Sequence, residues 1–220
     1  MKRGGLKGVY MNLSKTINEY FNELSSNSPT PGGGNVAALC GALAASLGTM
    51  VCNLTIGKKK YVEVEAEMIL IKEKLTDYQK KFFELAANDN EAFNKVMAAI
   101  KLPKESDSEK EVRTKKIEEA TIGAAEVPSE VIKTCRDLLP YLKTVAEKGN
   151  KNSLSDAGVA VSLVDTAAKS AYLNVLINCS SLNNQTIGNE IKKGVEIFVD
   201  EIAKETSFIF NQIIKSLQTA

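Results

Sequence analysis

Residues 36–57 carry no charge, and the run stops at Lys58-Lys59-Lys60. So long an uncharged stretch has to leave water, either as a helix crossing a bilayer or as the central helix of a folded bundle. Ala37, Gly41, Ala44, Ala45 and Gly48 give it a seam of small residues, which lets helix backbones approach closely in either setting. Asn53, Thr55, Cys40 and Cys52 lower its hydrophobicity. No other segment reads as a convincing span, and the rest of the pattern is amphipathic. A buried central helix over about residues 35–56 is therefore expected.

The flanking pattern is helical throughout. Ser14 is the expected N-cap of a first helix with Ile17, Tyr20, Phe21 and Leu24 on one side, ending near residues 25–28. From Val64 onward, Met68, Ile71, Leu75, Tyr78, Phe82 and Leu85, then Asp89, then Ala92, Val96 and Ala99 recur in steps of four and three. That spacing draws one stripe on a helix of roughly forty residues, about 60 Å long. Leu102-Pro103 ends it. Ser106 with Glu109 is a capping box for the next helix, expected to break or kink at Val127-Pro128, resume to Lys148 and stop at Gly149. Ser155-Asp156 open a fifth helix, poor in charge, with Asn174 and Asn178 on one face, and a sixth covers about residues 186–217. No run alternates with a period of two. The expected class is all-α, a bundle of long helices around two apolar central ones, with residues 11–220 as a single domain. Residues 1–10, glycine-rich and basic, read as a disordered extension. Met11 reads as the start of translation, because purine-rich codons for Lys-Arg-Gly-Gly would resemble a ribosome-binding site.

With 28 Lys and Arg against 27 Asp and Glu, the formal charge is +1, so no global field favours nucleic acid or an anionic membrane, and neither is an expected partner. There is no histidine. Ser-His-Asp and Cys-His nucleophiles, the two-histidine zinc helix and imidazole acid–base chemistry are thereby removed, leaving Asp, Glu, Lys, Tyr and Cys. Cys40, Cys52, Cys135 and Cys179 lie far apart without metal-ligand spacing and read as reduced core thiols of a cytoplasmic protein.

Three features point toward one polar site in this apolar bundle. Pro29-Thr30-Pro31-Gly32-Gly33-Gly34-Asn35 puts three glycines ahead of the uncharged helix, giving a backbone a ligand can approach closely and free N–H groups for an anion. The bland alternative is a surface loop before a core helix. Lys58, Lys59 and Lys60 form either an anion clamp or a solvated helix end. Asp89 occupies the oily stripe, where burial raises a carboxyl's proton affinity, unless the helix breaks near residues 88–90 and leaves it wet. Asp156, at a helix start, is expected to stay ionised. Two carboxylates of unequal proton affinity suit acid–base work in a chain without histidine.

Several ordered motifs together resemble one family. They are Pro31-Gly32-Gly33-Gly34-x-Val36-Ala37-Ala38, Asn53-Leu54-Thr55-Ile56-Gly57-Lys58-Lys59-Lys60-Tyr61, Asp89-x-x-Ala92-Phe93, Leu102-Pro103-Lys104, Val127-Pro128, Gly149-Asn150, Ser155-Asp156-x-x-Val159-Ala160 and Leu173-Asn174-Val175. Over roughly residues 13–217 the chain resembles the formimidoyltetrahydrofolate cyclodeaminase and methenyltetrahydrofolate cyclohydrolase family. Asn35 departs from the family's usual serine, with capping and hydrogen-bonding capacity kept. The resemblance implies an all-helical, cytoplasmic, homodimeric enzyme of folate one-carbon metabolism with no metal or redox cofactor. Its members close the methenyl bridge of tetrahydrofolate with loss of ammonia, or open it with water to give 10-formyltetrahydrofolate. A stand-alone chain without the transferase domain favours the second reaction. On this resemblance Asp89 and Asp156 share the proton transfers. Gly32, Gly33, Gly34 and Asn35 face the pterin or bridge, Asn174 hydrogen-bonds it, and Lys58 and Lys60 hold the glutamate carboxylates. The competing readings are a helical folate-binding or interaction module without activity and a small membrane protein built on residues 36–56.

Overall fold

The computed structural model of the chain describes residues 15–219. The expected extension over residues 1–10, the start at Met11 and the cap at Ser14 lie outside them. Six α-helices follow one another: α1 (Ile17–Leu24), α2 (Gly33–Thr55), α3 (Glu65–Ile100), α4 (Asp107–Lys148), α5 (Leu154–Ser180) and α6 (Gln185–Gln218). Short 3-10 turns, Lys59–Val64 and Lys151–Ser153, precede α3 and α5. Among the described residues there is no strand, and the all-α reading holds.

Local signals explain most helix ends. Thr16 and Glu19 form a capping box that starts α1, and Ser106 and Glu109 form the expected one at α4, each pair satisfying two otherwise orphaned N–H groups. The third helix runs unbroken through residues 88–90, so Asp89 stays on its stripe. Met68, Leu75 and Phe82 of that stripe are fully buried, and Ile71, Leu85 and Ala92 nearly so.

Three expectations are corrected. Gly32, not Asn35, occupies the N-cap of α2, so Asn35 sits inside the first turn. The fifth helix starts at Leu154, one residue before Ser155-Asp156. Val127-Pro128 does not break the helix: α4 is continuous through Pro128 and Pro140. Proline at 128 has no N–H for the Ala124 carbonyl, and the Asn178 side chain of α5 supplies the missing donor, Nδ2 to the Ala124 oxygen at 2.7 Å.

The two charge-poor helices, α2 and α5, pack directly on each other. Helices α3 and α6 flank them, and α4 crosses behind, touching α2, α3, α5 and α6. The small seam of α2 is what admits its neighbours; a β-carbon at Gly41 would land on the Phe82 ring. Although α2 is long and apolar enough to cross a membrane by composition, three helices cover its small-residue side. Helices α2 and α5 run antiparallel and are pinned at both ends. Gly33 lies beside Asn174 at one end. At the other, the Asn150 N–H donates to Thr55 Oγ1 at 2.9 Å and its side chain to the Leu54 carbonyl at 2.8 Å. All four cysteines are free thiols, three of them buried.

Candidate active site

The site is built where α2 begins. Gly34 has no side chain because the Asp89 carboxyl lies against its α-carbon; a β-carbon there would overlap the carboxylate oxygens. The Asn35 backbone N–H lies near the Asp89 carboxyl. Burial nonetheless dominates and pushes this carboxyl above the ordinary aspartate range, with the Asn35 N–H pulling weakly the other way. A group so placed holds a proton toward neutral pH more readily than an exposed aspartate and can deliver it inside the bundle.

Asn35 is 1% exposed and fully engaged. Its Oδ1 accepts from the Tyr20 hydroxyl at 2.9 Å, and its Nδ2 donates to the Ala86 carbonyl at 2.7 Å. Asn35 thus ties α1, α2 and α3 together. Tyr20 feels the same enclosure: burial raises its phenol, and the nearby Cys40 and Asp89 add to that. Asn174 hydrogen-bonds its own helix, Nδ2 to the Ser170 carbonyl at 2.9 Å, and stands next to Gly33, its Oδ1 accepting no hydrogen bond among the described residues. Gly32, Gly33, Gly34, Asn35, Asp89 and Asn174 are therefore together at one end of the α2/α5 pair. Among the described residues, no three His, Cys, Asp or Glu side chains converge on one point.

Asp156, Lys58 and Lys60 are elsewhere within this chain. The antiparallel packing puts the first turn of α5 beside the last turn of α2, and α2 is about 33 Å long at 1.5 Å per residue. Lys58 and Lys60 are exposed just beyond that far end, where the Tyr61 hydroxyl accepts from the Lys151 N–H at 3.0 Å. Inside a single chain neither lysine meets a ligand held at Gly33, and the two aspartates share no cleft. The physical reason is plain in the helix lengths: motifs 21 and 18 residues apart on rigid helices cannot fold back onto each other, as the Asn53–Tyr61 and Gly32–Asn35 segments and the Asp156 and Asn174 positions show.

Tyr20 and Asn90 belong to the neighbourhood of the site and carry no signal in the sequence. Both read as ordinary helical positions until α1 and α3 are packed against α2.

Comparison with known proteins matches residues 16–197 to the family model described as formiminotransferase-cyclodeaminase. The chain belongs to that family. It is 42% identical over 200 residues to the methenyltetrahydrofolate cyclohydrolase of Methylorubrum extorquens, covering 91% of this chain and 96% of the relative. The crystal structure of formiminotetrahydrofolate cyclodeaminase from Thermotoga maritima is similar at a TM-score of 0.77 and 34% identity, covering 91% of this chain and 98% of that one. The formimidoyltransferase-cyclodeaminase of Rattus norvegicus is 28% identical over 201 residues, and the chain spans 37% of its length. The glycine loop, Asp89, the Lys58–Lys60 run and Asp156 all fall within the region that the family model matches.

Proposed function

We propose that this family member is a methenyltetrahydrofolate cyclohydrolase, opening the 5,10-methenyl bridge with water to give 10-formyltetrahydrofolate. The observation that carries the reading is the 42% identity to a cyclohydrolase across 96% of that enzyme's length. In the reaction, the oxygen of water bonds to the bridge carbon and gives up its protons, the bond from that carbon to the pterin nitrogen breaks, and that nitrogen takes one proton. Asp89, whose proton affinity is raised by burial, supplies the nitrogen's proton. Asp156 takes a proton from the attacking water. Only protons and one water change hands, so neither a metal nor a redox cofactor is required. The free thiols fit a cytoplasmic enzyme.

The separation of the two aspartates leads to a homodimer. On α2, Leu43, Met50 and Leu54 are exposed, and on the adjoining α5 so are Val159, Leu173 and Ile177. These apolar positions share the outer side of the two innermost helices, a composition typical of a covered surface. A two-fold pairing of that face, with its axis across the helices, sets the Asp89 end of one copy against the Asp156 end of the other. Two complete sites result, each with Lys58 and Lys60 of the partner subunit placed to hold the glutamate carboxylates.

The test is direct. Purified protein given 5,10-methenyltetrahydrofolate is expected to hydrolyse it far faster than buffer does, and to release no ammonia from formimidoyltetrahydrofolate. Ammonia release at a comparable kcat/KM would assign the cyclodeaminase reaction instead, the alternative supported by the 34% identity to the Thermotoga maritima protein.

A further inference from the structure

A cavity of about 830 Å³ opens between α1 and the adjacent flanks of α2 and α3. Its walls are mostly carbon, from Phe21, Leu39, Leu43, Phe83 and Ala87, and charge is confined to Lys15, Glu23 and Glu91. Lys15 and Glu23 pair with each other at 2.6 Å, and Glu91 pairs with Lys95 at 2.8 Å. Asn35 forms part of the wall. The backbone N–H of the same residue lies near the Asp89 carboxyl, so the cavity adjoins the reaction site. Consecutive residues of α3 serve the two: Asp89 lies on Gly34, and Asn90 lines the cavity.

Two groups in this cavity are incompletely partnered. Asn90 Oδ1 is buried and has no hydrogen-bond donor among the described residues, which is costly for a carbonyl oxygen kept from water. Helix α1 buries no residue, and Phe21, on the cavity wall, is 57% exposed. The helix covers the space without filling it.

A folate has two aromatic parts, with the methenyl bridge between them. The pterin edge carries several N–H and carbonyl groups, and a carbon-walled space with one unpaired acceptor would leave most of them stranded. The aminobenzoyl ring has apolar faces and, beyond it, a single amide N–H leading to the glutamate. We propose that this cavity holds the aminobenzoyl arm of the substrate. Its ring lies against Leu43 and Phe83, its amide N–H donates to Asn90 Oδ1, and the pterin stays with Gly33 and Asn174. The assignment rests on the folate reading given above. The cavity reaches Leu43 on the exposed α2 face, so the glutamate tail is led toward that face and toward Lys60 of the partner subunit.

The test uses p-aminobenzoylglutamate, a fragment without the pterin, titrated into the full-length protein by calorimetry. The wild type is expected to bind it. Asn90→Leu, which keeps the side chain's bulk without its acceptor, and Phe21→Asp, at a position already exposed, are each expected to weaken fragment binding at least about tenfold. Both should raise the KM for 5,10-methenyltetrahydrofolate by about tenfold with kcat within about threefold, because contacts remote from the bridge are equal in ground and transition states. Thermal melts and sedimentation of each variant establish that fold and oligomeric state are kept. Turnover by the wild type without fragment binding, or an unchanged KM in both variants, overturns the cavity assignment and leaves the cyclohydrolase reading standing. A wild type that binds no fragment and turns over neither folate defeats both. Loss of the dimer in Phe21→Asp, with no fragment binding in the wild type, assigns the cavity to a second copy of the chain.

Discussion

Asp89 owes its raised proton affinity to where it is packed. Its carboxyl is pressed on Gly34, the Asn35 N–H lies near it, and desolvation is the larger influence on its proton affinity. Asp89→Asn is expected to lower kcat about a hundredfold or more, the usual worth of a positioned proton transfer, with KM little changed. The same burial has a consequence for stability. Because the folded carboxyl titrates above its unfolded value, folding is favoured by protonation below about pH 3.9, and that contribution is lost as pH rises through the folded value. Asn cannot ionise. Asp89→Asn should therefore melt above the wild type at pH 7, and the gap should close as pH falls toward 4; a gap that widens on acidification would show the carboxylate to be stabilised rather than strained. This residue is legible in sequence, since its place on an apolar stripe already announces an unusual carboxyl. The chemistry around it is less so. Asn35 reads as a ligand contact in the glycine motif, yet both its side-chain polar atoms are taken up by Tyr20 and Ala86, partners 15 and 51 residues away.

Helices show the same division between local and distant causes. The starts of α1 and α4 and the stripe of α3 follow from residues within a turn or two of each other, so spacing alone reveals them. The continuity of α4 through Pro128 does not. It depends on Asn178, which is 54 residues from the carbonyl it rescues. The Asn174–Asn178 pair, similar in sequence, thus divides its labour: Asn178 completes a helix and Asn174 stays beside Gly33. Asn178→Leu removes the side-chain donor of the Ala124 oxygen, a buried residue at the α4/α5 contact. It is expected to cost about 1–3 kcal/mol of stability, read as a lower denaturant midpoint at unchanged m, with KM for the folate retained. Were Asn178 instead a substrate ligand, KM would rise and the midpoint would hold.

At the scale of the molecule, the uncharged stretch that defines α2 serves two surfaces. Its small side admits α3, α4 and α5, and its larger residues, Leu43, Met50 and Leu54, face outward. A lone chain gains nothing from that outer face, and it separates Asp89 from Asp156 by most of a helix. The proposed two-fold dimer would resolve both difficulties at once, covering the face and bringing each acid to its counterpart from the other copy. Sequence motifs cannot show this, because order along one chain says nothing about which copy supplies each part of a site. Subunit mixing tests it. Asp89→Asn and Asp156→Asn homodimers are each expected to be nearly inactive. When they are unfolded together in equal amounts and refolded, half the dimers carry one variant of each kind. In such a dimer one site receives both substitutions and the other receives neither, so the mixture should regain about a quarter of wild-type turnover. If each site were built within a single chain, every site in the mixture would still lack one carboxylate, and activity would stay at the level of the parent variants. Recovery near a quarter therefore assigns Asp89 and Asp156 of one working site to different copies, and its absence in a mixture proven to exchange subunits would return both acids to one chain.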